Sequence, residues 1–183
     1  MKDILQDIVA HTHSLGFLSL VKVTGGDETT IDSMAEDRSV IMSAASNHSI
    51  ADGTFGMPNL DKLNLHLKNP EYKDNAKIDI VQAERNGETI PTHIHFENAA
   101  GDFQNDYRFM NKAIIEEKLK TVKFKGANWN VEFEPSMAAI ARMKLMSAAH
   151  SEEPTFNVKT VDGNLEFAFG DASTHAGEFV FQP

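Results

Sequence analysis

The sequence predicts an α+β protein in which helices are backed by antiparallel sheets, organised as two related units. Apolar residues recur at helical spacing in three segments, whereas shorter runs alternate or are continuously apolar, as strands are. Turn-forming residues separate successive strands, which is typical of antiparallel pairing. A helix followed by strands opens the chain and recurs after residue 130, and this echo indicates the two units.

The composition of the chain excludes several classes of function. The 183 residues include no cysteine, which excludes disulfide scaffolds, thiolate metal sites and cysteine nucleophiles. The formal net charge of -10 argues against a protein that coats nucleic acid by bulk charge. The N-terminus lacks the basic start and uninterrupted apolar stretch of a signal peptide. We therefore expect a cytoplasmic protein, in a host cell if it is viral.

The first unit, residues 1–110, begins with a predicted helix over Ile4–His13. A hairpin follows, from Phe17–Val23 to Glu28–Asp32, and a third strand is predicted over Arg38–Ser46. Turn formers dominate Asn47–Gly56, which we predict to be a loop. The first helix is predicted from the apolar residues Ile4, Leu5, Ile8 and Val9, which recur at helical spacing.

A second helix is predicted after Pro58, which can occupy a helix's first turn, and it ends near Asn69-Pro70. Three strands then complete the unit as a meander with tight turns between them. The leucines that define the helix are Leu60, Leu63 and Leu67. The strands are predicted over Lys77–Glu84, Thr89–Glu97 and Phe103–Met110.

Residues 111–129 are predicted to connect the units. Residues 111–125 carry 5 basic and 2 acidic side chains, against 9 and 17 in residues 1–110 and 3 and 8 in residues 126–183. The charge reversal therefore sets this segment apart from the acidic units on either side.

The second unit, residues 130–183, begins with Val131 and Phe133, which alternate with glutamates as in a half-buried strand. A helix over Met137–Ala149 starts after a Pro-Ser pair, and a hairpin follows around Asp162-Gly163-Asn164. The stripe that we expect this helix to bury is Met137, Ile140, Ala141, Leu145 and Ala148.

The two units echo each other in order and spacing. Val21 and Val158 follow their helices at an offset of 137, and Asp32 and Asp171 follow at 139. A repeat explains this match, and chance similarity between two helix–hairpin units is the alternative. A repeat predicts that the two helices superpose, each followed by a hairpin.

His93-Ile94-His95 is the sharpest local motif, because a strand's period of two places both imidazoles on one face. With Glu97 on the same face, they could hold zinc or iron. The alternative is a solvent-facing strand whose polar side chains alternate with Ile94 and Phe96. No phosphate-cradling glycine loop and no serine-nucleophile elbow is present in the sequence.

The order of elements resembles the sliding-clamp family of DNA polymerase processivity factors, most closely the clamps of T4-like bacteriophages. The segment Asn130–Ile140 and the hairpin Phe156–Gly170 look like the opening of such a clamp's second domain. The resemblance implies a non-enzymatic protein without a cofactor, whose protomers form a ring and whose helices face duplex DNA. The implied DNA-binding residues are Lys2, Lys62, Lys68, Arg142 and Lys144.

The resemblance also implies partners. Tails of the DNA polymerase and the clamp loader would bind beside the connector, and self-association would pair the edge strands Gln104–Met110 and Ala176–Gln182 of neighbouring subunits. By the internal echo, the second unit lacks a helix and three strands, so we expect either a C-terminally truncated clamp or a naturally shortened relative. In either case we expect monomers, dimers or open assemblies. The predicted rim of the partner site is Met110, Ile114, Ile115, Leu119 and Val122.

Two alternatives remain open at this point. A β-rich metal-dependent enzyme would use His93, His95 and Glu97, and a structural virion or interaction protein would make no DNA contact.

Overall fold

A computed structural model describes residues 1–46, 48, 50–85, 87–120 and 126–182 of the chain. These residues form two compact units, Met1–Phe124 and Lys125–Pro183. Both units combine helices with antiparallel sheets, so the predicted α+β class is confirmed.

The described residues of unit 1 include three α-helices and seven strands. The helices are α1 (Lys2–His11), α2 (Leu60–Lys68) and α3 (Lys112–Lys118). The strands are β1 (Val21–Gly25), β2 (Thr29–Met34), β3 (Ile41–Ser46), β4 (Gly53–Met57), β5 (Lys77–Arg85), β6 (Glu88–Glu97) and β7 (Gln104–Arg108).

The strands of unit 1 form two antiparallel sheets, in the orders β3-β2-β1-β4 and β5-β6-β7. On β1, Val23 lies opposite Ile31 of β2 and Phe55 of β4. A bridge between Gly56 and Met110 links the two sheets, with each backbone N–H donating to the other's carbonyl at 2.8 Å.

One hydrophobic core joins both sheets to α1 and α2. The predicted stripes form the buried helix faces, because residues at i, i+3 and i+4 share one side of a helix. From α1 the core takes Leu5, Ile8 and Val9, and from α2 it takes Leu60, Leu63 and Leu67.

The described residues of unit 2 form one helix and one sheet. Helix α4 (Met137–Ala149) begins at Ser136, whose hydroxyl accepts a hydrogen bond from the Ala139 N–H at 3.1 Å. The strands are β8 (Phe156–Val161), β9 (Asn164–Phe169) and β10 (Gly177–Gln182), in the order β10-β9-β8. Asp162 and Gly163 both have positive φ, 49° and 83°, as a two-residue hairpin turn requires.

The structure corrects the predicted loop over Asn47–Gly56. Strand β4 occupies Gly53–Met57 and pairs with β1 along its whole length. The two glycines of β4 are residues typical of loops, which is why the sequence predicted one. In the structure, Gly56 allows the Ile115 side chain to pack closely against the strand. A Cβ at Gly56 would lie 2.9 Å from the Ile115 side chain.

Two other element predictions are also wrong. The predicted strand at Val131 and Phe133 has no regular secondary structure. The stripe predicted for α4 is largely exposed, with Met137 at 80% and Leu145 at 72%. The buried side of α4 carries Ala139, Met143 and Met146 instead. Because α4 is apolar or small almost all round, its sequence does not single out one face.

Within the described residues, no helix is long and apolar enough to cross a membrane.

Candidate functional site

The predicted DNA-binding residues of unit 1 lie on two neighbouring helices. Lys62 and Lys68 are exposed on α2, on the side away from its buried leucines. Lys2 is half-buried at the start of α1, and its Nζ donates to the Tyr72 carbonyl at 2.6 Å. This hydrogen bond links the start of α1 to the short helical turn that follows α2.

Acidic side chains accompany these lysines. Asp3 and Asp7 are exposed on α1, and Asp61 is exposed on α2. Three lysines and three aspartates therefore share the helix pair, and their formal charges cancel. The positive charges on this surface are therefore separate from one another and do not form a continuous basic patch.

His66 on α2 adds no positive charge at neutral pH. Its ring stacks on Phe96 with 5.2 Å between ring centroids. Burial lowers the pKa of His66 below its usual value, and the nearby Lys62 lowers it further. The neutral ring therefore serves mainly to close the core under α2.

The predicted DNA-binding residues of unit 2 both lie on α4. Arg142 donates to the Val180 carbonyl at 3.2 Å, and its guanidinium lies 5.2 Å from the centroid of the Phe179 ring. Arg142 thus ties α4 to β10 through a hydrogen bond and a cation–π contact. Lys144 is exposed on the same helix.

The predicted partner-binding rim divides into packed and exposed residues. Ile115 is fully buried and Leu119 is 7% exposed, so both pin α3 to unit 1, and Ile115 does so against Gly56. Ile114 is 42% exposed. Met110 is half-buried and forms the backbone bridge described above. Val122 lies outside the described residues.

The imidazoles of the His-Ile-His motif lie on the outward face of β6 and converge on a carboxylate of β7. Asp106 Oδ1 lies 2.8 Å from His95 Nδ1 and 3.5 Å from His93 Nε2. Glu97 lies 3.4 Å from His95 Nε2. Arg108 Nη1 lies 3.3 Å from His93 Nδ1, and the Thr92 hydroxyl oxygen lies 2.9 Å from the same nitrogen.

The carboxylates around His95 favour its protonated form. Hydrogen bonds to Asp106, with Glu97 assisting, raise the pKa of His95 above its usual value. The same contact lowers the pKa of Asp106. Both ring nitrogens of His95 face carboxylates, with Nδ1 at 2.8 Å from Asp106 and Nε2 at 3.4 Å from Glu97. Within the described ranges, no group of three or more His, Asp or Glu residues could hold a metal ion.

Asp106 and Arg108 were not among the candidates drawn from the sequence. The usable signal was their own period of two on the next strand, which turns both toward the face that carries His93 and His95. Their register with β6 depends on the intervening turn, which the sequence left undetermined.

No protein-family model matches the chain, and a search of the curated proteins finds no match.

Proposed function

We propose that the chain is a subunit of a DNA sliding clamp, which encircles duplex DNA without sequence preference and holds a DNA polymerase on its template. The observation that carries the proposal is the architecture of unit 1. Two neighbouring helices, α1 and α2, share one core with two antiparallel sheets, and the sheets are joined at Gly56 and Met110. The helix faces turned away from this core are free to meet DNA.

The start of unit 2 supports the same proposal. A helix followed by three antiparallel strands occurs in both units, with strand orders β3-β2-β1 and β10-β9-β8. Such repetition suits a ring, because each repeat presents an equivalent helix toward the axis.

The balance of three lysines and three aspartates on α1 and α2 suits a mobile contact. Each phosphate that a lysine neutralises contributes about -0.9 to the slope of log affinity against log salt concentration. A surface with only Lys2, Lys62 and Lys68 as cations therefore binds duplex weakly, and encirclement rather than affinity would retain it on DNA.

The edge strands proposed for assembly both lie at sheet edges. Strand β7 ends the second sheet of unit 1, and β10 ends the sheet of unit 2. Unpaired backbone groups on such edges can pair with another chain. Self-association through these two strands is part of the proposal.

Duplex binding tests the helix surface directly. We expect a fluorescent duplex to bind the full chain at low salt and the double variant Lys62→Gln, Lys68→Gln to reduce the salt slope by about 2, or about one per lysine. The control is Lys112→Gln with Lys118→Gln on α3, which removes equal charge elsewhere. Equal losses in both variants would show general electrostatics and would sink the proposed DNA surface.

A test of partner binding needs a variant that does not disturb the hydrophobic core. Ile114→Ala removes an exposed apolar side chain of α3, whereas Ile115→Ala would disturb packing against Gly56. We expect a polymerase C-terminal peptide to bind Ile114→Ala more weakly than the unaltered chain. Unchanged affinity would remove α3 from the proposed partner site.

A further inference from the structure

The outward face of the second sheet of unit 1 carries a row of charged side chains that crosses all three strands. His95 on β6 lies directly opposite Asp79 on β5 and Asp106 on β7. Side chains alternate between the two faces of a strand, and the neighbouring Ile94 and Tyr107 lie in the core. Asp79, His95 and Asp106 therefore share the opposite face, and we call them the charge row.

Strand register explains why His95 and Asp106 approach so closely. The N–H of Phe109 donates to the Thr92 carbonyl at 2.9 Å. Hydrogen-bonded and non-hydrogen-bonded pairs alternate along antiparallel strands, so His95 and Asp106 form a non-hydrogen-bonded pair. The side chains of such a pair lie close together. His95 Nδ1 accordingly lies 2.8 Å from Asp106 Oδ1.

Further charged groups of β6 and β7 face the row. Glu97 Oε2 lies 3.4 Å from His95 Nε2. His93 Nε2 lies 3.5 Å from Asp106 Oδ1, and Arg108 Nη2 lies 3.4 Å from Asp106 Oδ2. The carboxylate of the edge strand is therefore approached by two imidazoles from β6 and by one guanidinium from its own strand.

The charge on this face depends on the histidines. On β5, Lys77 Nζ lies 3.9 Å from Asp79 Oδ2. The carboxylates of the face are Asp79, Glu97 and Asp106, and its permanent cations are Lys77 and Arg108. Three negative and two positive charges leave one excess negative charge when both imidazoles are neutral. A proton on His95 cancels this excess at the centre of the row.

The surroundings of His95 favour that proton. The hydrogen bond to Asp106 is the main cause that raises the pKa of His95 above its usual value, and the hydrogen bond to Glu97 raises it further. The His95 side chain is 24% exposed and that of Asp106 is 36% exposed. Because solvent reaches both groups, His95 can gain and lose its proton while the protein stays folded.

Strand β7 is the element that this contact holds at its outward side. The strand has five residues and, among the described strands, pairs only with β6. On its core side, Asn105 donates to the Tyr72 hydroxyl and Tyr107 donates to the Pro58 carbonyl. Short strands at a sheet edge open at a lower free energy than the core. A change in one outward contact therefore alters how often β7 opens.

We propose that His95 is a proton-controlled link that holds β7 to its sheet when protonated and loosens the strand when the proton leaves. The positive ring joins the carboxylates of β5 and β7, whereas a neutral ring leaves both without that counterion. The contribution is present below about 6.5, the unfolded value, and is lost as pH rises through the folded pKa. This inference goes beyond the proposed function and does not depend on it.

Hydrogen exchange of the full chain, measured by NMR, tests the link. The reporters are the amides of Asn105 and Tyr107, which belong to the hydrogen-bonded pairs with β6. After correction for the intrinsic rate, we expect their protection to fall about fivefold between about pH 6 and about pH 8.5, the upper range for a solvated ion pair. At low urea concentration their exchange should depend little on urea, as a local opening requires, whereas exchange of the core amide of Val23 should rise steeply.

Matched variants identify the group responsible. His95→Gln keeps a side-chain N–H donor but cannot be charged, so it should make the corrected protection of β7 independent of pH. Asp106→Asn removes the partner charge and should have the same effect. The control is His11→Gln on α1, which removes another histidine–carboxylate pair, with His11 Nδ1 3.3 Å from Asp7. We expect His11→Gln to keep the pH dependence of the unaltered chain.

Three results would overturn the proposal. The first is a corrected protection of β7 that does not change with pH in the unaltered chain. The second is a pH dependence that persists in His95→Gln or disappears equally in His11→Gln. The third is the same urea dependence at Tyr107 as at Val23, because β7 would then open only when the whole of unit 1 unfolds.

Discussion

Unit 1 and unit 2 open with the same order of elements, yet they bury them to different extents. Helix α1 places Leu5, Ile8 and Val9 in the core, whereas only Ala139 of α4 is fully buried. The difference follows from what is added in unit 1, where β4 and α2 close the core beside β1. Local sequence determines which segments become helix or strand, but the neighbours determine how much of each is covered.

The same comparison applies to the first strand of each hairpin. Val21 and Val23 have no exposed surface, whereas Phe156 and Val158 keep nearly half of theirs. Full burial of such a side chain contributes about 1.5–3 kcal/mol. We therefore expect unit 1 to be the more stable of the two.

Leucine truncations should show the largest contrast. Leu63→Ala on α2 removes a fully buried side chain and should lower the free energy of unfolding of unit 1 by about 2–5 kcal/mol. Leu145→Ala on α4, 72% exposed, should change stability by no more than about 0.5 kcal/mol. Urea denaturation followed by circular dichroism measures both. A costly Leu145→Ala would mean that α4 is covered in solution.

The packing of α3 on β4 gives the next largest effect. Gly56→Ala would force the new Cβ against Ile115 and should cost about 1–3 kcal/mol. Combining it with Ile115→Val, which shortens the side chain, should cost less than the sum of the two single changes. Strict additivity in the double-mutant cycle would contradict this contact. Unit 2 has a similar contact, because a Cβ at Gly177 of β10 would lie 2.6 Å from the Met146 side chain of α4.

Helix capping should matter to α4 because few buried contacts support it. Ser136→Ala removes the side-chain acceptor of the Ala139 N–H and should destabilise unit 2 by about 1 kcal/mol. Ser147→Ala, an exposed change inside the same helix, is the control. Ser136→Ala should unfold at a lower midpoint temperature than Ser147→Ala. Equal midpoints would show that the cap does not stabilise α4.

The smallest expected effect is the dependence on pH in unit 1. His95 has a raised pKa in the folded state, so its contribution is fully present below about 6.5, the unfolded value, and is lost as pH rises through the folded pKa. His66 has a lowered pKa and acts oppositely, losing its contribution as pH falls through its folded pKa.

Thermal midpoints across neutral pH, compared between the unaltered chain and His95→Gln, measure the first effect. We expect the unaltered chain to lose its advantage over His95→Gln as pH rises. His66→Gln is the control with the opposite sign. A difference between the unaltered chain and His95→Gln that stays constant with pH would exclude the imidazolium–carboxylate contact as a source of stability.

Much of the fold could be predicted where a local pattern determines structure by itself. The leucine spacing of α2, the serine start of α4 and the Asp162-Gly163 turn all act over a few residues. Strand β4 was missed because its glycines, Gly53 and Gly56, are explained by contacts with distant parts of the chain. The burial of α4 was misassigned because a helix that is apolar almost all round leaves its orientation to its surroundings.

The candidate site was predictable to a similar degree. Period-two spacing correctly placed His93, His95 and Glu97 on one face of a strand. The roles of Asp106 and Arg108 depended on strand register across a turn, which no short motif encodes. Likewise, the sequence showed that α3 carries apolar residues, but only packing against Gly56 separates buried Ile115 from exposed Ile114.

The bridge between Gly56 and Met110 has a mechanical consequence. Met110 lies where the chain leaves the second sheet of unit 1, and its two hydrogen bonds join it to β4. Tension applied through the connecting chain would reach α3 and this bridge before it reached the strand ladder of β6 and β7. Force spectroscopy should therefore record an early yielding event that Gly56→Pro, which removes one of the two donors, weakens; an unchanged first event would place the yield point elsewhere.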